Sequence, residues 1–103
     1  MEHVSDGFMA FMQEGGAVSQ AFMELVIKAS EASALDKKTE ELAYLAVLAA
    51  LRMTGGLNFH VKSAKKLGAT RDEVKSAVLV GLPATGLQVL DALPAALQAY
   101  DEA

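Results

Sequence analysis

The chain reads as an all-α protein, a compact bundle of about six helices in one domain spanning residues 1–103. Three observations predict this class. Apolar residues recur at spacings of three and four, and no segment alternates with the period of two that a half-buried strand needs. Glycines and prolines fall between the periodic segments, where helices stop. Thr70-Arg71-Asp72-Glu73 is a capping box, the sharpest local signal in the sequence.

Each element follows from those rules. Ser5 or Asp6 caps a short first helix carrying Phe8, Phe11 and Met12 on one face, and Gly15-Gly16 breaks it. A second helix over Ala17–Ala32 carries an apolar stripe of Val18, Ala21, Phe22, Leu25, Val26 and Ala29. Asp36 caps a third, very apolar helix that runs through Arg52, followed by a break at Met53-Thr54-Gly55-Gly56. A fourth helix ends at Leu67, with Gly68 supplying the left-handed position beyond it. The fifth starts from the capping box and reaches about Gly81. Pro83 fits the first turn of a sixth, which Pro94 kinks or splits near Leu90.

Composition limits the function. The chain has no cysteine and two histidines, so it cannot form a disulfide, and one chain cannot build a zinc site of the usual ligand count. No metal or cofactor is expected. A net charge of -4, with Lys62, Lys65, Lys66, Arg71 and Lys75 interleaved with Asp72 and Glu73, argues against a nucleic-acid surface. The apolar run Leu42–Leu51 is too short to cross a bilayer. Ala77–Tyr100 is long enough but is interrupted by Gly81, Pro83, Gly86 and Pro94, so no membrane partner is expected. The start Met1-Glu2-His3-Val4-Ser5-Asp6 lacks the basic and apolar regions of a signal peptide, which makes the cytoplasm the expected compartment. With 52% hydrophobic residues in so small a chain, not all apolar surface fits inside one copy, and self-association is expected.

Two polar residues stand on faces that otherwise read as buried. Glu41 shares a stripe with Leu45, Leu48 and Arg52, whereas the neighbouring Glu40 reads as solvated. His60 shares a stripe with Gly56, Leu57, Ala64 and Leu67. A carboxylate and an imidazole facing one apolar interior form a general acid/base pair. A packed histidine and a carboxylate that merely favours a helix dipole are the alternative reading. A simple antiparallel hairpin would offset the two by on the order of 10 Å along the helix axes.

Leu35-Asp36-Lys37-Lys38-Thr39-Glu40-Glu41-Leu42, His60-Val61-Lys62-Ser63-Ala64, Gly68-Ala69-Thr70-Arg71-Asp72-Glu73-Val74 and Gly81-Leu82-Pro83-Ala84 together resemble the carboxymuconolactone decarboxylase family, which includes the AhpD-like alkylhydroperoxidases. The resemblance covers about two-thirds of the chain. It implies an AhpD-like helical bundle that assembles into ring-like homotrimers or homohexamers. In the peroxidase branch it implies a Glu, a Cys-x-x-Cys pair and a His four residues on. Laid on this sequence, Glu41 and His60 match, while Met53 and Gly56 stand in the cysteine positions. Methionine forms no thiolate and glycine has no side chain, so this chain cannot run a thiol peroxidase cycle alone. The decarboxylase branch often carries His-Glu where Gly55-Gly56 stands here. The resemblance therefore implies Glu41 and His60 as catalytic residues acting on a small carboxylated or lactone-like substrate. On this reading Met53, Gly55 and Gly56 are the expected substrate-binding loop, with amides at a helix N-terminus suited to an anion, while the alternative is that Gly55-Gly56 merely makes the interhelical turn. A non-catalytic oligomeric or binding member of the family is the alternative.

Overall fold

The computed structural model describes residues 3–103. Among them the chain forms α1 (Asp6–Glu14), α2 (Ala17–Ala32), α3 (Lys37–Ala50), a 3-10 turn (Thr54–Gly56), α4 (Leu57–Lys66), α5 (Arg71–Leu79), α6 (Leu82–Thr85), a second 3-10 segment (Leu87–Ala92) and α7 (Leu93–Glu102), with no strand. The expected sixth helix is thus three pieces. Gly86, at φ 80°, separates α6 from the 3-10 segment, and Pro94 sits in the first turn of α7, where a missing N–H costs nothing.

Helix ends follow local chemistry. The Ser5 hydroxyl accepts from the Phe8 amide at 3.2 Å and starts α1, deciding between Ser5 and Asp6. The Asp36 carboxylate accepts from the Thr39 amide at 2.9 Å and starts α3. Both halves of the Thr70–Glu73 capping box are made. Two helices close in the same way, with the last amides bonding back five and three residues. At α4, Ala69 donates to the Ala64 carbonyl and Gly68 to Lys65, with Gly68 at φ 96°. At α3, Met53 donates to the Leu48 carbonyl and Arg52 to Ala49, but the left-handed position is held by Arg52 itself, at φ 59°. The helix therefore stops at Ala50, two residues before the expected end, and Arg52 leaves the Glu41 stripe to pair with Asp91 at 2.9 Å.

The core belongs to α3, α4, α5, α7 and the second 3-10 segment. Leu45, Leu57, Val61, Val74, Val78 and Val89 are fully buried in it. Side chains tie these elements at their edges: Tyr100 donates to the Ala69 carbonyl at 2.9 Å, Gln88 to the Ala50 carbonyl at 2.5 Å, and Arg71 grips Asp101 with two bonds of 2.9 and 3.1 Å. The α1–α2 arm is different. Its aromatic rings meet at Phe11–Phe22, 5.7 Å apart and edge to face, yet its sole buried residue is Ser19. The stripe on α2 faces outward, with Val18 68%, Phe22 41%, Leu25 63% and Val26 42% exposed. No described helix is long and apolar enough to cross a membrane.

A candidate acid–base site and its relatives

Glu41 lies in the second turn of α3 and His60 in the second turn of α4. The structure brings them together: His60 Nδ1 and Glu41 Oε2 are 2.9 Å apart. The offset of a simple hairpin disappears for two reasons. Ending α3 at Ala50 shortens the first arm by ~3 Å, and the 3-10 turn before α4 lengthens the second by ~6 Å, at 1.5 and 2.0 Å per residue. The arms then match to within a residue or so, and the side chains reach each other directly.

The pair is partly shielded, with the His60 and Glu41 side chains 24% and 21% exposed. Aromatic rings hold the imidazole on two sides. Tyr44 lies 4.4 Å from it, tilted, and Phe59 lies 5.1 Å away, edge on. Tyr44 follows Glu41 by three positions on α3, so both project from one face of the helix. That spacing was legible in the sequence, but neither aromatic residue was picked out from it.

An ionised Glu41 carboxylate only accepts, so the contact then places a proton on Nδ1, and in the neutral imidazole Nε2 is the nitrogen that carries the lone pair. No described protein group bonds Nε2. The open edge of the ring adjoins the glycine loop, because a Cβ built on Gly56 would lie 3.8 Å from His60 Cδ2, the carbon bonded to Nε2. The same Cβ would press Leu48 Cδ1 at 3.2 Å, so Gly56 keeps this approach clear. Gly55 lies against Ser5, with 3.3 Å between a built Cβ and the serine Cβ, which places the start of α1 beside the loop. Met53 is 55% exposed. The loop amides are less available than the glycines alone indicate: Gly56 donates to the Met53 carbonyl at 3.4 Å, and Leu57 to that of Thr54.

A groove of about 630 Å³ runs between α3 and α5, walled by Leu42, Ala43, Ala46, Ala77 and Val80, and includes neither Glu41 nor His60. Glu40 is less solvated than expected, since its Oε2 is out of water with only the Lys37 ammonium near it at 3.8 Å. Among the described residues no three His, Cys, Asp or Glu side chains gather as metal donors.

Comparison with known proteins identifies the family. The sequence model of the carboxymuconolactone decarboxylase family matches residues 16–99. The crystal structure of an apo carboxymuconolactone decarboxylase family protein from Legionella pneumophila superposes with a TM-score of 0.79 at 31% identity, covering 93% of this chain and 86% of that one. No curated protein sequence matches the chain. The matched span takes in α2 to α7 and every residue of the pair and its loop, so the chain belongs to the carboxymuconolactone decarboxylase family.

Proposed function

We propose that this protein performs cysteine-independent acid/base chemistry, of the lyase or decarboxylase type, on a small carboxylated or lactone-like molecule. The observation that carries the reading is the 2.9 Å Glu41–His60 bond, with Nε2 unbonded and facing the Gly56 loop. His60 Nε2 takes a proton from the substrate and returns it. When a carboxylate leaves as carbon dioxide, the electron pair of the broken C–C bond receives that proton. Glu41 keeps the imidazole in the reactive tautomer and steadies the imidazolium between the two transfers. Met53, Gly55 and Gly56 line the approach, and the N-terminal end of α4 favours the substrate's negative charge. We further propose assembly as a homotrimer or homohexamer, supported by the exposed apolar stripe on α2.

A thermal-shift screen of small carboxylic acids and lactones against wild type and His60→Ala tests the reading. A ligand should stabilise wild type and lose most of its effect on the variant. Equal stabilisation of both removes His60 from the site. One observation favours the non-catalytic alternative: the loop amides of Gly56 and Leu57 are spent on Met53 and Thr54. If no ligand in the screen binds, the family core serves assembly alone. A peroxidase role needs a thiol from another protein, because the sequence has none.

A further inference from the structure

A substrate that brings its own negative charge needs a donor to hold it, besides a group that moves its proton. The amides that a helix N-terminus would offer an anion are spent here, Gly56 donating to the Met53 carbonyl at 3.4 Å and Leu57 to that of Thr54. The donor must then come from a side chain at the pair. Three described side chains bond or stack against the imidazole: Glu41, Tyr44 and Phe59. An ionised Glu41 only accepts, and Phe59 has no polar atom. Tyr44, whose ring centre lies 4.4 Å from that of His60, carries a hydroxyl.

The other tyrosine shows what an engaged hydroxyl looks like in this fold. Tyr100 is partly buried and donates to the Ala69 carbonyl at 2.9 Å, so its hydroxyl serves the structure. The Tyr44 hydroxyl bonds no described protein group, and the residue is 47% exposed while its ring stays stacked on the imidazole. A solvated surface phenol would share that exposure but not that place, three positions after Glu41 on one face of α3 and against His60. Phe59, edge-on to the imidazole and 41% exposed, adds a second ring beside it. Exposed ring faces favour a flat conjugated partner over a puckered one, which cannot stack along its whole length.

We propose that Tyr44 anchors the substrate: its hydroxyl donates to a carboxylate on a flat, conjugated molecule that stacks beside the imidazole and presents its reacting proton to His60 Nε2. This narrows the substrate from carboxylated or lactone-like molecules at large to planar carboxylates, and it rests on the acid/base reading for where the substrate lies. The hydroxyl holds charge and moves no proton, so the roles of Glu41 and His60 are unaltered. A hydrogen bond to a charged acceptor is short and strong, and its loss costs about 10- to 100-fold in affinity.

Benzoate is the probe, titrated into the full-length protein by isothermal calorimetry. It should bind wild type, and Tyr44→Phe, which keeps the ring and removes only the hydroxyl, should weaken binding about 10- to 100-fold. Cyclohexanecarboxylate has the same charge and no flat face, and it should bind wild type several-fold more weakly than benzoate. Urea denaturation should give Tyr44→Phe the stability of wild type, because the hydroxyl makes no bond within the fold. Equal benzoate affinity in wild type and Tyr44→Phe overturns the anchor, as does a wild type that does not bind benzoate. A destabilised Tyr44→Phe would make the hydroxyl structural and overturn it too. Cyclohexanecarboxylate bound as tightly as benzoate overturns the planar class and leaves the anchor. His60→Ala separates this inference from the reading beneath it. Affinity lost in His60→Ala but kept in Tyr44→Phe sinks the anchor alone. Affinity lost in Tyr44→Phe but kept in His60→Ala sinks the acid/base reading and leaves a carboxylate-binding surface.

Discussion

The body and the arm of this protein are built from similar material and treat it in opposite ways. The body, from α3 onward, buries Leu45, Leu57, Val61, Val74, Val78 and Val89 completely and knits its edges with Tyr100, Gln88 and Arg71. The arm, α1 and α2, carries comparable apolar side chains and leaves them in water, with Ser19 alone buried. Amphipathic periodicity therefore says that a helix has an apolar face, but not which surface that face will meet. In the body most of such faces meet the chain's own core, and in the arm the described residues offer them little cover.

The sharpest way to break this contrast is to empty one site in each region. Leu45→Ala should cost about 2–5 kcal/mol, read by urea denaturation, and the loss should not depend on protein concentration. Leu25→Ala should cost little in dilute protein and, on the proposed assembly, progressively more as concentration rises. Equal and concentration-independent losses would erase the distinction.

The next largest effects separate two helix ends inside the body. Gly68→Ala should destabilise by about 1–2 kcal/mol, since the left-handed conformation there suits only glycine. Arg52→Gly, at the matching position of α3, should stabilise by up to about 1 kcal/mol after loss of the exposed Asp91 pair, itself worth 0–1 kcal/mol. Thermal melts of both variants check the opposite signs. Thr70→Ala, which removes the cap of α5, should cost about 1 kcal/mol in the same assay.

Smaller still is the acid response of the body. The Thr39 amide holds the Asp36 carboxyl below its ordinary value of 3.8, the Thr70 amide and Lys38 do the same for Glu73 against 4.5, and Arg71 for Asp101 against 3.8. A carboxyl depressed in the folded state stabilises it above the ordinary value, and that contribution is lost as pH falls through the folded one. Melting temperature should therefore decline on acidification through this range, and Glu73→Gln should flatten the decline. An unchanged slope would detach the capping box from acid sensitivity. At the site, nitrogen NMR should find the His60 proton on Nδ1 in wild type and shared between both nitrogens in Glu41→Ala, with almost no change in stability.

Much of this was readable from sequence because it is local. The Asp36 and Thr70 caps, the extent of α2, the glycine after α4, the placement of Pro83 in a first turn and a split of the last helix at Pro94 all follow from nearest-neighbour chemistry. Glu41 and His60 stood out as polar residues on apolar stripes. Their direct bond did not, because it depends on a non-glycine residue taking the left-handed position at Arg52 and on a 3-10 turn that lengthens the second arm. Tyr44 and Phe59 escaped notice because aromatic residues beside a histidine look like ordinary core material until their rings are placed. The outward aspect of α2 was hidden for a similar reason, since a stripe reads the same whether its partner is present or not.

The aromatic content has a practical consequence. The sequence has no tryptophan and two tyrosines, so its intrinsic fluorescence comes from Tyr44 and Tyr100. Tyr100 is fastened inside the body by its bond to the Ala69 carbonyl, and Tyr44 lies over His60. Tyr100→Phe, at a cost of about 1 kcal/mol for the lost hydrogen bond, would leave a single natural emitter in contact with the imidazole. The protein thus contains its own optical gauge at the candidate site, and occupancy or covering of His60 can be followed without attaching any dye.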